Sequence, residues 1–276
     1  MLDPVGGDKM IGWINHQRNI KRYQEFQKQQ FLHMQQQQYM QEMQQIYIGE
    51  RMNALSSKTN NEDFDKNGYL VIRNICDPEK LKCDIPEQPG MYNYYGKIDK
   101  FSYVPEENQV VGSTSRYYYP PYKEVHSEVR KKIEDAIGKK LFNTYYYDRF
   151  YSPGQFLKNH VDRDACEISI TINISTNLKE SWPIWIKTPD TYNDESKSEI
   201  IEQGKPASVV LNPGDGMIYK GCERPHWREP MPSNYKGWIK KWRDYRKIKD
   251  DTYFHQIFFH YVLADGIRAH FAGDVR

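Results

Sequence analysis

From Leu141 to Val262 the chain is a succession of short β-patterned runs broken by turn residues, with no helices alternating between them. Such a run cannot build parallel βαβ units, so its strands must pair antiparallel, as a sandwich or a jelly roll. The runs are TYYYDRFY, Phe156 to Val161, EISITINIS, SWPIWIKT, ASVVL, GMIYKG and YFHQIFFHYV, punctuated by Ser152-Pro153-Gly154 and Asn212-Pro213-Gly214-Asp215. In EISITINIS, isoleucines alternate with polar residues, which puts Ser169, Thr171 and Asn173 on one face. That face is either a pocket floor or the solvent side of an edge strand.

Upstream, Tyr69 to Ile72 reads as a strand and Asp77-Pro78-Glu79 as a helix start. A loop-rich stretch follows, and Lys123 to Ile137 reads as a helix that stops at Gly138. Residues 13–48 contain neither Gly nor Pro, and twelve Gln fall between Gln17 and Gln45. One long helix is expected there, ending near Gly49. It serves as an oligomerisation or docking arm, packs on its own domain, or remains a disordered tract. The expected organisation is therefore a Gln-rich helical arm (1–52), a polar linker (53–61) and a β domain (62–276) with flanking helices.

The 39 basic and 37 acidic residues of this 276-residue chain nearly cancel, which excludes a wholly basic nucleic-acid coat and an acidic disordered tail. Cys76, Cys83, Cys166 and Cys222 include no CxxC pair, so neither a disulfide framework nor a cysteine zinc site is expected. The start lacks a basic segment followed by an apolar run, and no apolar stretch approaches about 20 residues. A cytoplasmic protein with no membrane partner is the expectation.

The chemistry centres on His160-Val161-Asp162. On an extended segment, residues i and i+2 share a face, so an imidazole and a carboxylate converge. With a second imidazole from another strand they make a two-His, one-carboxylate set, which suits Fe(II) and leaves open positions. His226, after the Asn212-Pro213-Gly214-Asp215 turn and the following strand, is the candidate partner. A His-x-Asp pair alone arises readily by chance; its place between a turn and an alternating strand gives it weight. His126 and Glu128 share the i, i+2 spacing but fall in a predicted helix, where those positions diverge. His255 and His260 face opposite sides of the last strand and read as packing or hydrogen-bonding residues.

The run from Tyr147 to Arg163, YDRFYSPGQFLKNHVDR, resembles the iron-binding core of the Fe(II)/2-oxoglutarate-dependent oxygenases, in particular the prolyl 4-hydroxylase-like branch. NPGDGMIYKGCERPHWREP is similar to the same family's turn and second His, and FDKNGYLVIRNICDPEKL to its entry strand and helix. The resemblance spans about residues 62 to 273. It implies a distorted double-stranded β-helix, or jelly roll, with Fe(II) held by His160, Asp162 and His226. 2-Oxoglutarate and dioxygen would occupy the remaining metal positions, giving succinate, carbon dioxide and a hydroxylated substrate. The ligand atoms would then meet about 2.0–2.2 Å from a common point. The far carboxylate of 2-oxoglutarate needs a cation. The family places an Arg or Lys on the last strand, but Tyr253 to Val262 contains neither. Arg228 is the first candidate, Arg149 the second, and Lys236 or Lys187 the third. Tyr151 matches a family Tyr lining that pocket, and Thr171 stands on the polar strand face.

Between His226 and the last strand lies KGWIKKWRDYRKIK, residues 236–249, with seven basic residues against one acid. Trp238, Trp242 and Tyr245 recur at helical spacing. The segment is either a lid or basic aromatic docking surface near the site mouth, for an acidic peptide or a nucleic acid, or an amphipathic helix with its aromatics in the core. The substrate, a peptide or small molecule, is not named by the sequence. The rival readings are a non-catalytic jelly-roll structural or interaction protein that assembles through residues 13–48, and a zinc or manganese enzyme on a similar roll.

Overall fold

The computed structural model describes residues 58–85, 90–91, 109–193 and 199–274. The Gln-rich segment and most of the expected linker lie outside the described residues. The end of that linker is tied down: Asn60 N–H donates to the Ile137 carbonyl (2.9 Å), and the Asn61 side chain accepts from Phe64 N–H (2.9 Å). Asn61 thereby caps helix α1 (Glu62–Asn67), which ends at Gly68 with φ of 76°.

Strand β1 (Tyr69–Ile72) follows, then the short β2 (Gly90–Met91) and β3 (Thr114–Tyr117). Helix α2 (Tyr122–Ile137) buries Tyr122, His126, Val129, Ile133 and Ile137 and stops at Gly138, φ 66°. The expected strands come next: β4 (Leu141–Tyr151), β5 (Leu157–His160), β6 (Ile168–Thr176) and β7 (Ile184–Lys187). A small hairpin, β8 (Thr191–Tyr192) and β9 (Ile200–Glu202), precedes β10 (Pro206–Val209), β11 (Gly216–Tyr219) and β12 (His226–Arg228). Helix α3 (Gly237–Tyr245) leads to the closing β13 (Phe254–Leu263).

Seven strands form one sheet in the order β1-β11-β6-β13-β4-β3-β2, and four form a second in the order β10-β7-β12-β5. All pairings are antiparallel except β2 with β3. Strands β4 to β7 alternate between the two sheets, and so do β10 to β13, which is the strand order of a jelly roll.

The alternation within β6 decides what each face of the large sheet does. Ile168, Ile170, Ile172 and Ile174 point outward and pack with Val129, Ile133 and Ile137 of α2 and with Phe259 and Tyr261 of β13. Each such buried side chain contributes about 1.5–3 kcal/mol. Ser169, Thr171 and Asn173 point inward and are buried, so the polar face is the interior of the roll and not a solvent edge. Ile184 and Ile186 of the small sheet meet Met217 and Tyr219 of the large one across that interior.

Helix α3 departs from the core-packed alternative. Trp238, Trp242 and Tyr245 are 75%, 50% and 83% exposed. The residue turned toward the domain is Arg243, whose guanidinium lies 3.9 Å from the Tyr235 ring.

Candidate metal centre and its pocket

His160 ends β5 and His226 begins β12, and the two residues are register partners in the small sheet. Asp162 follows β5 by two residues. Its N–H donates to the Gly221 carbonyl (2.9 Å), which holds the loop against the end of β11. Each His Nε2 faces the carboxylate: His160 lies 3.5 Å and His226 3.6 Å from Asp162 Oδ1. The ligand atoms of the three residues all fall within 4.8 Å of one another. The opposite ring nitrogens are committed elsewhere. His160 Nδ1 donates to the Lys158 carbonyl (2.8 Å) and His226 Nδ1 to the Arg224 carbonyl (3.0 Å). In the neutral rings those bonds fix the tautomer whose lone pair is on Nε2, the nitrogen on the Asp162 side of each ring.

The electrostatics match a cation site. Burial would raise the Asp162 carboxyl, but the neighbouring His226, His160 and His260 hold it well below the usual range. Burial pushes His226 down to about 4, so it is neutral at physiological pH. Burial also works to lower His160, yet its hydrogen-bond contact with the Asp162 anion raises it overall. Gly221 makes room for the carboxylate: a Cβ there would stand 2.7 Å from Asp162 Oδ2 and 2.3 Å from the Cys166 carbonyl oxygen. Any side chain at 221 would displace the acid.

Further into the roll the wall is polar and unsatisfied. Arg228 is buried and its Nη1 donates to the Trp182 carbonyl (2.7 Å), while its Nε has no hydrogen-bond partner. No carboxylate pairs with it among the described residues. It lies against the Trp182 and Phe254 rings, 4.4 and 4.8 Å away, and its electrostatic neighbours are Tyr151 and Tyr219. Burial lowers its guanidinium to about 10, still protonated at neutral pH. The Tyr219 ring, 4.7 Å from His226, links this cation to the three-residue cluster. Thr171 Oγ1, Asn173 Oδ1 and both amide atoms of Gln256 are also buried without partners. Thr171 is opposite Phe258, and Gln256 is opposite both Arg149 and Asn173 in the register, so these residues share the inner face.

Arg149 is completely buried on the same face and donates to Ser115 Oγ (3.1 Å), Tyr151 Oη (3.4 Å) and Gln109 Oε1 (2.9 Å). Gln109 Nε2 in turn donates to His160 Nε2 (2.7 Å). The chain Arg149–Gln109–His160 therefore joins a second arginine to the cluster, through a residue that carries no motif. Lys187 and Lys236, the third candidates, are half-buried and exposed respectively, and pair with Asp190 and Glu180. His255 and His260 do face opposite sides of β13: His255 bonds Asp148 on the outer face and His260 bonds Ser169 on the inner.

The cleft beside the basic segment is separate from the cluster. It has a volume of about 750 Å3 and is lined by Ser152 to Gly154, Met231, Lys236, Lys240 and Lys249, and by none of the three cluster residues.

No protein-family model matches the chain, and no curated protein matches it. Solved structures do. A Pseudomonas putida prolyl-4-hydroxylase is similar at 11% identity over 72% of this chain and 95% of its own, with a TM-score of 0.46. HygX from Streptomyces hygroscopicus, bound to nickel, 2-oxoglutarate and hygromycin B, matches at 10% identity over 74% and 86%, TM-score 0.47. A viral collagen prolyl hydroxylase from Paramecium bursaria Chlorella virus-1, in complex with 2-oxoglutarate, matches at 11% over 71% and 97%, TM-score 0.40.

Proposed function

We propose that this domain is an Fe(II)- and 2-oxoglutarate-dependent dioxygenase that hydroxylates a peptidyl or small-molecule substrate. One observation carries the reading: two imidazole lone pairs and a carboxylate, all electron-pair donors, aim at one point, and a buried arginine without a carboxylate stands beside them. The first set calls for a cation and the second for an anion, and a metal with a dicarboxylate supplies both.

His160, Asp162 and His226 would hold the metal, with the Nδ1 bonds to Lys158 and Arg224 keeping the rings aligned. Arg228 would pair with the far carboxylate of 2-oxoglutarate, where Thr171 Oγ1 and the Tyr151 hydroxyl can add donors. The Trp182 and Phe254 rings around Arg228 keep water from the pair and strengthen it. Bound Fe(II) with 2-oxoglutarate and dioxygen would supply oxidative decarboxylation to succinate and carbon dioxide, coupled to hydroxylation of a C–H bond.

The test is succinate formation from 2-oxoglutarate under Fe(II), together with the visible charge-transfer band of an anaerobic Fe(II)–2-oxoglutarate titration. Both are expected in the parent protein and absent in His160→Ala. Arg228→Met should keep metal binding and weaken 2-oxoglutarate by about a hundredfold, the scale of an unpaired buried carboxylate. An iron-replete parent protein that neither binds nor decarboxylates 2-oxoglutarate would refute the proposal in favour of the non-catalytic reading.

A further inference from the structure

We infer that helix α3 and the lysine-lined cleft beside it form a docking surface for single-stranded nucleic acid. The inference stands on residues outside the metal cluster and is independent of the proposed oxygenase chemistry.

The apolar stripe of an amphipathic helix normally goes to the core. Here Trp238, Trp242 and Tyr245 stay exposed, one above another, about 6 and 4.5 Å apart along the axis. Lys241 is one turn from both Trp238 and Tyr245, and Arg246 one turn from Trp242, so cations flank the stripe. Neither of these, nor Lys247 or Lys249, forms an ion pair among the described residues. The acids nearby are already engaged. Asp244 pairs with Lys240 (2.8 Å) and Glu180 with Lys236 (2.9 Å). Asp250, on the cleft wall, accepts from Ser233 Oγ and Thr252 N–H, and Asp251 accepts from the Tyr235 hydroxyl.

Charge complementarity selects a polyanion, and the aromatic content selects which one. Single-strand binding sites combine a basic groove that follows the phosphates with aromatic planes on which bases stack. The cleft is the groove, with Lys249 unpaired among the described residues and Lys236 and Lys240 in exposed ion pairs weak enough for phosphate to displace, and the three rings are the planes. A helix lying on an anionic lipid surface also sets Trp, Phe and Leu opposite Lys and Arg, but commonly over about 20–30 residues, and α3 has nine. Ile239, 41% exposed, is the one aliphatic residue on the helix.

The experiment is fluorescence anisotropy of a labelled 12-nucleotide oligo(dT) with the full chain. Micromolar binding is expected in 50 mM salt, falling about fiftyfold by 200 mM if four phosphates are contacted. Trp238→Ala with Trp242→Ala should weaken binding at least tenfold, while unfolding and Co(II) binding match the parent, because both indoles are exposed. Lys241→Glu with Arg246→Glu should lower the salt slope by about 1.4. Absence of binding at 50 mM salt, indifference to the indoles, or equal affinity for duplex would overturn the proposal. So would tighter association with phosphatidylserine vesicles that the same double substitution abolishes.

Discussion

Two carboxylates with histidine company lie to either side of the large sheet, Asp148 buried on its outer face and Asp162 half-buried in the loop after β5 on its inner side, and both belong to clusters with the residue types of a metal site. On the outer face Asp148 is surrounded by donors. It accepts from Arg116 Nε (3.2 Å) and Nη2, from the Tyr122 hydroxyl (2.9 Å) and from His255 Nε2 (2.9 Å). On the inner face Asp162 meets two imidazoles that present lone pairs, with the Ser169 hydroxyl (3.2 Å) donating from below. Composition does not separate the clusters; the balance of donors and acceptors does. The first is electrically complete, and a cation there would oppose Arg116. The second is a convergence of acceptors with neutral donors from Gln109 and Ser169 alone, and a cation satisfies what they leave over.

The largest effect that would break this contrast is on stability. Asp148→Ala leaves Arg116 buried without its counter-charge and should cost about 3–5 kcal/mol in urea unfolding. Asp162→Ala removes an acceptor among acceptors; we expect about 1 kcal/mol or less, with complete loss of metal binding. A reversed ranking would mean the two sites have been misread. Metal itself gives the next comparison. Co(II) at a hundred times its Kd should stabilise the parent by about 2.7 kcal/mol, and a chelator should remove the gain. The gain should vanish in His226→Ala and persist in His255→Gln, since His255 serves only the outer network.

A pH titration sharpens the same comparison at a third buried histidine. His126 of α2 bonds the His260 carbonyl (3.2 Å) and stacks on Phe259, and burial pushes it down to about 3. Its unfolded value lies near 6.5, so between the two the unfolded chain binds the extra proton. Stability must therefore drop as the pH is lowered through that window, by about 1.4 kcal/mol per unit for one site. His126→Gln should flatten the slope by that amount from pH 6 to 4.5; an unchanged slope would assign the acid sensitivity to His226 or His255.

How much of this was legible in the sequence follows from range. The strand alternation showed that Ser169, Thr171 and Asn173 share a face, because period two is local; that the face is the interior required the second sheet. His160, Asp162 and His226 were legible because a turn and a strand end flank each, and Arg228 because it lies two residues from His226. The Asp148 network was not legible. Its four members come from β3, α2, β4 and β13, and only the register of those strands brings them together. The exposure of α3 was equally hidden, since a buried and an exposed aromatic stripe have the same spacing. Gly221 read as the end of a strand, although its role is the room it leaves for Asp162.

Gln109 is the sharpest case, and it carries the smallest expected effect. Because His160 Nδ1 donates to a backbone carbonyl, only the Nε2 lone pair remains for a metal, and Gln109 Nε2 donates to that lone pair at 2.7 Å. One lone pair cannot serve both, so the amide and the metal compete. Oε1 is anchored by Arg149, which holds the amide beside the cluster when it yields. Removing a hydrogen bond of about 1 kcal/mol from one side of that competition should tighten Co(II) binding about fivefold in Gln109→Ala. Calorimetry at constant pH reads the change directly. Unchanged or weaker binding would mean that Gln109 supports His160 without contesting its lone pair, and the inner cluster would then be as settled as the outer one.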